Sequence, residues 1–460
     1  MSTVLRPQNF TRPATQTERG TFAIQTWGCQ MNEEDSEQLA LSLQKIGFTA
    51  STDVRNAHVV LLNTCSVRKK PEDKAFSLLG ELALIKQNRP EMVIGVCGCM
   101  AQARADEIRR RAPHVDFVLG TGDISQVGAL VEEALQGRKF QKRVLLPERK
   151  GAVVTDIPAR ITERYPKLKA FVPIQYGCDK FCSFCIVPAT RGRERSRPTE
   201  EILEEVRNLA SSGTKEVTLL GQTVNSYGKN LLEGRVPFSE LLRLVADVPG
   251  IERIRYMSPY PRDFKSDLID VIRDVPQVMP HLHMPLQAGC DELLKAMKRQ
   301  YTRESFAAIL AEVREKVPDC LVTTDVIVGF PGETEEQFER TLDAIREFRF
   351  YGAYMFIYSP RPDTPAADME QLPYRLKQER LTRLVDLQHG IAGEWNRSFV
   401  GREMQVLVEG ASPKDQGKLQ GYAEQFVMCH FPGDLEKYRG EIVTVRVTDG
   451  FLWGCQAEIV

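Results

Sequence analysis

The 460-residue sequence has no long hydrophobic run and no marked excess of charge. None of its apolar segments approaches the roughly 18 residues that a membrane-spanning helix needs, so no membrane partner is expected. Lysine and arginine total 61 against 62 aspartate and glutamate residues, and this balance excludes nucleic-acid binding through overall charge. Such a site therefore has to be a local patch. Internal repeats and low-complexity segments are missing as well, which argues against a solenoid.

The N-terminus lacks the apolar core of a secretion signal. Residues 1–20 carry Arg6, Arg12 and Arg19 with only Glu18 opposing them. This pattern favours a disordered tail over a transit peptide and leaves both open. The chain has eleven cysteines. Without a secretion signal they indicate a reducing compartment, so we expect a cytoplasmic protein whose cysteines bind metal rather than form disulfides.

The sequence does contain a compact cysteine motif in YGCDKFCSFCIVPATRGRERSRP, residues 176–198. Cys178, Cys182 and Cys185 follow a C-x3-C-x2-C spacing, and thiolates grouped in this way select iron–sulfur clusters or zinc. A closed zinc site needs four ligands, but the nearest histidines, His114 and His281, are distant in sequence. Three thiolates on a four-iron cluster would leave one iron open. A zinc site completed by a distant ligand and three unrelated buried thiols are the alternatives.

Residues 21–136 alternate between strand and helix patterns. Strands are predicted at 21–26, 59–64, 92–96 and 116–123, and this order implies a parallel sheet covered by helices. Cys29, Cys65 and a third cysteine, Cys97 or Cys99, follow the first three strands. Because ligands bind beyond the carboxyl ends of parallel strands, these cysteines are expected to form a second site at one rim. The alternative is that they are small buried core residues.

Residues 137–170 are rich in lysine and arginine. They predict a connector that is either solvated or in contact with phosphates. Its last cations are Arg160, Arg164, Lys167 and Lys169.

Six further strand patterns alternate with helices, at 171–175, 216–220, 252–257, 281–286, 321–328 and 353–358. Six such units suffice for a partial barrel, whose active site lies at the C-terminal ends of its strands. The cysteine motif follows the first of them. After a helix over about 374–397, five short strand patterns from residue 403 predict a small β-barrel.

The chain from about residue 21 to its end resembles the radical S-adenosylmethionine (SAM) methylthiotransferases. The resemblance rests on the cysteine motif, on TRGRERSRP and LLGQTVN, and on GCQMN, NTCSVR and GCMAQ around Cys29, Cys65 and Cys99. Within the family's GC-x-A pattern, Cys99 fits and Cys97 does not. The resemblance implies an α/β fold in four parts: an N-terminal parallel-sheet α/β methylthiotransferase domain (20–136), a basic linker (137–163), a partial (β/α)6 TIM-like radical-SAM barrel (164–395) and a small C-terminal TRAM β-barrel (398–460).

The resemblance also implies two [4Fe–4S] clusters with different tasks. Cys178, Cys182 and Cys185 would hold the SAM-cleaving cluster, which generates a 5′-deoxyadenosyl radical. The second, sulfur-supplying cluster would have as its ligands Cys29, Cys65 and Cys99. Two SAM molecules would be used for each product.

Three further residues are expected near SAM by the same resemblance. Phe184 lies inside the cysteine motif, Gln222 follows the second barrel strand, and Gly329 belongs to the GFPGE segment after the fifth. Phe184 has an alternative interpretation as an ordinary apolar loop residue, and GFPGE has one as a simple turn.

Branches of this family modify prenylated adenosine beside the tRNA anticodon, threonylcarbamoyl-adenosine, or an aspartate of a ribosomal protein. The segments around the first two cysteines resemble the first branch. It implies methylthiolation of C2 of N6-dimethylallyl adenosine in tRNA, with a one-electron donor such as flavodoxin or ferredoxin. We expect a monomer. The alternatives are the ribosomal-aspartate branch and, from another class, a non-catalytic iron–sulfur or zinc RNA-binding module.

Two groups of residues are candidate RNA contacts. Tyr422 and Phe426 of the small barrel either stack on bases or belong to its core. Four alternating arginines either contact phosphates or pair internally, with Glu194, Glu200 or the SAM carboxylate. These arginines are Arg191, Arg193, Arg195 and Arg197.

Overall fold

The computed structural model describes residues 2–4, 19–66, 69–138, 140–144, 158–231 and 233–460. Most of the N-terminal tail, with Arg6, Arg12 and Glu18, and residues 145–157 of the basic connector lie outside the described residues. Within these ranges no helix is both long and apolar enough to cross a membrane.

The N-terminal part is a seven-stranded, mainly parallel sheet with helices on both faces. Its strands are β1 (Ser2–Val4), β2 (Thr21–Trp27), β3 (Thr49–Ala50), β4 (Val59–Thr64), β5 (Val93–Cys97), β6 (Phe117–Leu119) and β7 (Gln141–Arg143). Its helices are α1 (Gln30–Lys45), α2 (Lys69–Asn88), α3 (Cys99–Arg111) and α4 (Val127–Leu135). The strand order is β1-β2-β4-β5-β6-β7, with β3 also paired to β2 and only β1 antiparallel.

Both faces of this sheet are buried, which explains why its central strands carry apolar residues on both faces. Alternate residues of β4 point to opposite faces, with Val60 and Leu62 against α2 and α3, and Val59 and Leu61 against α1 and α4. The predicted strand at residues 59–64 is confirmed. The short strands β1, β3 and β7 were not predicted, because two or three residues carry no periodicity.

The middle part is a partial barrel. Its strands are β8 (Lys169–Pro173), β9 (Gln175–Tyr176), β10 (Arg195–Ser196), β11 (Glu216–Leu220), β12 (Arg253–Tyr256), β13 (His281–His283), β14 (Leu321–Val328) and β15 (Gly352–Ile357). Its helices are α5 (Val187–Arg191), α6 (Thr199–Ser211), α7 (Phe238–Ala246), α8 (Ser266–Asp274), α9 (Asp291–Ala296), α10 (Arg303–Lys316), α11 (Glu335–Phe348) and α12 (Tyr374–Ser398).

Six strands of this part form two parallel sheets, β12-β11-β8 and β13-β14-β15, joined by a parallel bridge between Ile254 and Val278. In β14, Val322, Val326 and Val328 pack outward into the helices, whereas Asp325 is only half-buried on the inner side. The predicted partial (β/α)6 barrel is confirmed, with strands 216–220 and 321–328 as expected.

The C-terminal part is a closed barrel in the order β16-β17-β18-β20-β19. Its elements are β16 (Glu403–Ser412), β17 (Asp415–Ala423), β18 (Met428–Pro432), α13 (Leu435–Tyr438), β19 (Ile442–Phe451) and β20 (Gly454–Ile459). Closure leaves no free sheet edge, and Val406, Val408, Phe431 and Val445 fill the interior. The five predicted strands are therefore all present.

Candidate active site

The cysteine motif forms a loop after β9 whose backbone is fixed at its first residue. Gly177 has φ +69°, and a Cβ there would lie 2.2 Å from the carbonyl oxygen of Arg193. Only glycine tolerates both conditions. The Cys178 N–H donates to the Gly192 carbonyl (3.1 Å) and the Cys185 N–H to the Cys182 carbonyl (3.1 Å). These bonds bend the loop so that its three thiols share one region.

The thiols of this loop lie in a mostly buried setting. Burial raises the pKa of Cys178 and of Cys185 to about 12, so without a bound cation both remain thiols. Arg299 is buried beside them and donates from Nη1 to the Cys182 Sγ at 3.4 Å. A metal centre would supply the positive charge that converts buried thiols into thiolate ligands. The donor set therefore suits a soft metal or an iron–sulfur cluster.

In the described part of the chain, no three His, Cys, Asp or Glu side chains converge closely enough to hold a single metal ion. In a four-iron cluster each thiolate binds a different iron, so the three sulfurs need not meet at one point.

A second cysteine site lies at the carboxyl edge of the N-terminal sheet. Cys29 follows β2 and precedes α1, Cys65 follows β4, and Cys99 is the first residue of α3. A hydrogen bond with Cys65 lowers the pKa of Cys29 to about 5. The loops that carry Cys29 and Cys65 lie so close together that position 28 needs glycine. A Cβ on Gly28 would lie 2.9 Å from the Cys65 Cβ.

Cys97 and Cys99 are only two residues apart and have different surroundings. Cys97 is the last residue of β5 and packs with Phe117 and Leu119 on the α1 side of the sheet. Gly98 turns the chain with φ +85°. Burial raises the pKa of Cys99, but Arg191 hydrogen-bonds to this thiol and opposes the effect.

Arg191 connects the two cysteine sites. It ends the five-residue helix α5, which begins two residues after Cys185, and it faces both Cys29 and Cys99. Its Nη2 donates to Asp35 of α1 at 2.6 Å. The helix α5, which rises roughly 7.5 Å over its five residues, thus leads from the first thiol group to the arginine beside the second.

Arg361 lies on the other side of the second site. Its Nη1 donates to Glu72 at 3.2 Å, while its Nε and Nη2 are buried without a hydrogen-bond partner. The nearby Cys65 is an electrostatic neighbour of this guanidinium. Buried donors without partners are costly, so this site fits a bound anionic group beside Cys65.

Buried ion pairs join the N-terminal sheet to the barrel. Arg160 contacts Glu34 (2.6 Å) and Glu205 (3.1 Å), and Arg164 contacts Glu37 (2.6 Å) and Glu205 (3.0 Å). Burial alone would raise the pKa of Glu205, but the neighbouring guanidinium groups outweigh it and hold this pKa at about 2.

The end of the basic connector is therefore neither solvated nor free for phosphates, and both predictions for Arg160 and Arg164 are wrong. Lys167 contacts Glu37 at 2.8 Å, and Lys169 contacts Glu409 of the C-terminal barrel at 2.6 Å. The acidic partners come from distant elements, which is why a local count of charges missed them.

The alternating arginines are likewise engaged within the protein. Arg191 pairs with Asp35, Arg193 with Asp179 (2.7 Å) and Arg197 with Glu205 (2.7 Å). The fourth, Arg195, is buried and donates to the Arg191 carbonyl. Internal pairing is thus the correct interpretation, and for Arg191, Arg193 and Arg197 the carboxylate partners are Asp35, Asp179 and Glu205.

The three residues expected near SAM lie at the same end of the barrel, but they differ in how free their groups are to contact a ligand. Phe184 is partly buried against the main core, and Gln222 follows β11 and is half-buried. Gly329 has φ +70°, and its N–H already donates to Glu333 at 2.7 Å. Its N–H is therefore not free for a ligand, and a SAM contact for all three residues stays a prediction.

Tyr422 and Phe426 join the C-terminal barrel to the bottom of the larger barrel. Their rings stack at 4.4 Å, and Phe426 stacks on His281 at 4.7 Å. Arg253 and Arg255 donate to the backbone carbonyls of residues 422–424 in the same turn, and Arg253 also donates to the Gln405 carbonyl of β16. With these partners the two rings are structural, and base stacking by them is not supported.

Several residues of the site were not found from the sequence. They are Asp35, Glu72, Arg299 and Arg361. None of them belongs to a recognisable motif, and burial is what distinguishes them from the other charged residues of the chain. Asp35 alone has a signal in the sequence, since it lies in the acidic segment 33–37 shortly after Cys29.

The fold and the cysteine loop define a radical-SAM enzyme. Residues 172–345 match the model of the radical SAM superfamily, residues 397–455 that of the TRAM domain, and residues 21–120 that of the uncharacterized protein family UPF0004. The radical S-adenosylmethionine methyltransferase TsrM of Kitasatospora setae has a similar fold. The TM-score is 0.52 at 17% identity, over 73% of this chain and 74% of that one.

Relatives with much higher identity narrow the class to one family. The chain is 45% identical to the tRNA-2-methylthio-N(6)-dimethylallyladenosine synthase of Moorella thermoacetica, over 96% of this chain and 99% of that protein. It is 42% identical to the Bacillus subtilis synthase of the same name, over 95% and 86%. The chain belongs to the family of tRNA-2-methylthio-N(6)-dimethylallyladenosine synthases.

Proposed function

We propose that this enzyme catalyses SAM-dependent methylthiolation of C2 of N6-dimethylallyl adenosine beside the tRNA anticodon. The names of its relatives support the substrate. The observation that carries the proposal is the helix α5, which leads from the cysteine loop directly to Arg191 at the second cysteine site. An enzyme that only cleaved SAM would not need a second set of thiols so close to the first.

We assign Cys178, Cys182 and Cys185 to a SAM-cleaving [4Fe–4S] cluster. The ligands of the second [4Fe–4S] cluster in this assignment are Cys29, Cys65 and Cys99. When bound, the two clusters supply the electron that generates a 5′-deoxyadenosyl radical from SAM and the sulfur that reaches the substrate. Two SAM molecules per product follow from this assignment. The buried position of Cys97 in the sheet core supports Cys99 as the third ligand of the second site.

Buried arginines offset negative charge at both cysteine sites. Three thiolates concentrate negative charge, and a guanidinium beside them offsets part of it. Arg299 does this at Cys182, and Arg191 does it at Cys99 while Asp35 fixes its orientation. Both guanidinium groups also donate to sulfur, which restrains the direction of the thiol side chains.

A small apolar cluster lies next to the second cysteine site. Met31, two residues after Cys29, packs with Tyr176 and Leu220, and the half-buried Phe171 and Met257 extend this cluster inside the barrel. Radical chemistry on an unactivated carbon requires that water and other hydrogen donors be kept away. This apolar cluster would help to keep water away from the second cysteine site.

The enzyme therefore needs tRNA as substrate and a one-electron donor such as flavodoxin or ferredoxin. We further propose that it acts as a monomer in the cytoplasm, where its many thiols stay reduced. Phe184, Gln222 and Gly329 remain the proposed SAM contacts.

Mass spectrometry of tRNA nucleosides from a strain lacking this gene tests the function. Loss of the methylthio-dimethylallyl-adenosine nucleoside, and its return with the intact gene but not with a Cys182→Ala variant, is the expected result. Persistence of that nucleoside would refute the proposal. The ribosomal-aspartate alternative predicts unchanged tRNA and loss of methylthio-aspartate from ribosomes.

A further inference from the structure

A cavity of about 390 Å³ lies on the rim of the barrel, outside both cysteine sites. It is bounded by the loop after β11 and by the segment between β12 and α8, at the C-terminal ends of the strands. Four cations line it: Lys229, Arg235, Arg262 and Lys265. We call this feature the rim cavity.

The rim cavity has a local excess of positive charge on a chain that is almost neutral. Its only anionic lining residues are Asp263 and Asp267, so two positive charges are in excess, whereas the whole chain has a net charge of −1. Lys229 pairs with Asp263 at 3.3 Å. Among the described residues, the exposed side chains of Arg262 and Lys265 have no ion-pair partner.

The start of helix α8 does not account for this site. Asp267, in the first turn, already accepts a hydrogen bond from Ser239 at 2.9 Å. An incoming anion would therefore be attracted by the side-chain cations rather than by the helix end.

The rim cavity is linked to the cysteine loop by a short chain of contacts. Asp263 forms a 2.5 Å ion pair with Lys180, whose backbone N–H donates to the Cys178 Sγ at 3.3 Å. Asn225 and Tyr260 hold its two walls together through reciprocal hydrogen bonds of 2.9 and 2.7 Å. The cavity is thus preformed and adjacent to the place where SAM is cleaved.

We propose that the rim cavity binds the phosphodiester backbone of the RNA substrate, next to the nucleotide whose base enters the barrel. The inference rests on the proposed function. When one base of a strand enters a barrel, the phosphates on either side of its nucleotide must cross the rim. Cations that line a small concave site suit phosphate groups. A protein partner of the usual kind would need a face of about 800 Å².

The test compares two triple variants of the full-length, cluster-reconstituted enzyme. One removes three cations of the rim cavity (Arg235→Gln, Arg262→Gln, Lys265→Gln). The matched control removes three exposed cations on the outer helices (Arg207→Gln, Arg273→Gln, Arg346→Gln). Fluorescence anisotropy measures binding of a labelled, prenylated anticodon stem-loop from 0.05 to 0.3 M salt. Iron content and the thermal unfolding midpoint establish that each variant is folded.

The salt dependence of binding gives the decisive quantity. Each lost phosphate contact lowers the slope of log K against log[salt] by about 0.7, so the rim triple is expected to lose about 2 in slope and on the order of 100-fold in affinity at 0.1 M salt. The control triple is expected to match the wild type.

Unchanged slope in the rim triple, with normal binding by the wild type, would overturn this inference and leave the proposed function standing. Absence of binding by the wild type would overturn both. A rim triple that binds RNA normally but accepts electrons poorly from reduced flavodoxin, while dithionite still reduces it, would assign the cavity to the electron donor and also overturn the inference.

Discussion

The two cysteine sites of this enzyme are built in opposite ways. Cys178, Cys182 and Cys185 lie within eight consecutive residues, and one loop with a single obligatory glycine brings them together. Cys29, Cys65 and Cys99 are spread over 71 residues of the sequence and meet only because three parallel strands end at the same edge. The first site depends on local backbone geometry, whereas the second depends on the packing of a whole sheet against the barrel.

The largest expected effect separates the chemistry of the two sites. Cys182→Ala should abolish 5′-deoxyadenosine formation and product formation together. Cys99→Ala should retain SAM cleavage but yield no methylthiolated tRNA, because only the sulfur-supplying site is lost. Chromatography of 5′-deoxyadenosine and of tRNA nucleosides measures both, and iron should fall from about eight to about four per chain in each variant. Product formation by Cys99→Ala would contradict the division of tasks.

Breaking the buried ion pairs should weaken the contact between the barrel and the N-terminal sheet, which carries the second site. Glu205→Gln leaves Arg160, Arg164 and Arg197 with one fewer buried carboxylate, and removing one partner of such a pair costs about 3–5 kcal/mol. Chemical denaturation measures the loss. The matched control Glu200→Gln, on the same helix and exposed, should cost under about 1 kcal/mol. Equal losses would show that the network is not what holds the sheet to the barrel.

The same carboxylate gives a pH prediction. The pKa of Glu205 is lowered from 4.5 to about 2, so its contribution to stability is complete above about pH 4.5 and is lost as the pH falls through 2. The shift corresponds to about 3 kcal/mol. Denaturation of metal-free protein between pH 2 and 6 should show this loss in the wild type and a shallower one in Glu205→Gln. Parallel pH curves would contradict the assignment.

Arg299 and Arg191 allow the electrostatics of the two cysteine sites to be compared. Arg299→Gln and Arg191→Gln each remove a positive charge beside one cysteine site. Added electrons are then less stabilised, so the reduction potential of the adjacent cluster should fall, on the order of tens of mV. Redox titration followed by electron paramagnetic resonance should show a shift at one cluster only in each variant. A shift of both clusters in either variant would mean that the sites are not electrostatically separate.

The smallest expected effect concerns Cys97. Cys97→Ala removes one buried sulfur from the sheet core and should cost about 1 kcal/mol of stability, with full iron content and normal product formation. Cys99→Ala is the matched variant two residues away. Loss of the second cluster in Cys97→Ala would make Cys97 the ligand instead.

Much of this architecture could be predicted because its signals are local. The strands at 59–64, 216–220 and 321–328 are marked by clusters of β-branched and other apolar residues, and the structure has them at those bounds. The cysteine loop could be predicted in the same way, from the spacing of Cys178, Cys182 and Cys185. Predictions failed where the partner of a residue is distant in sequence, as for Arg160 with Glu34 and for Phe426 with His281.

The sequence by itself determined the order of the longer elements, the small C-terminal barrel and the cysteine loop at residues 178–185, since spacing and periodicity act over a few residues. Only the tertiary structure decided which charges are buried, that Cys97 faces the core while Cys99 faces Arg191, and that α5 connects the two sites. The physical reason is that a charge or a thiol has no fixed role in the sequence. Its role follows from the solvent it loses and the partners it gains when distant segments pack together.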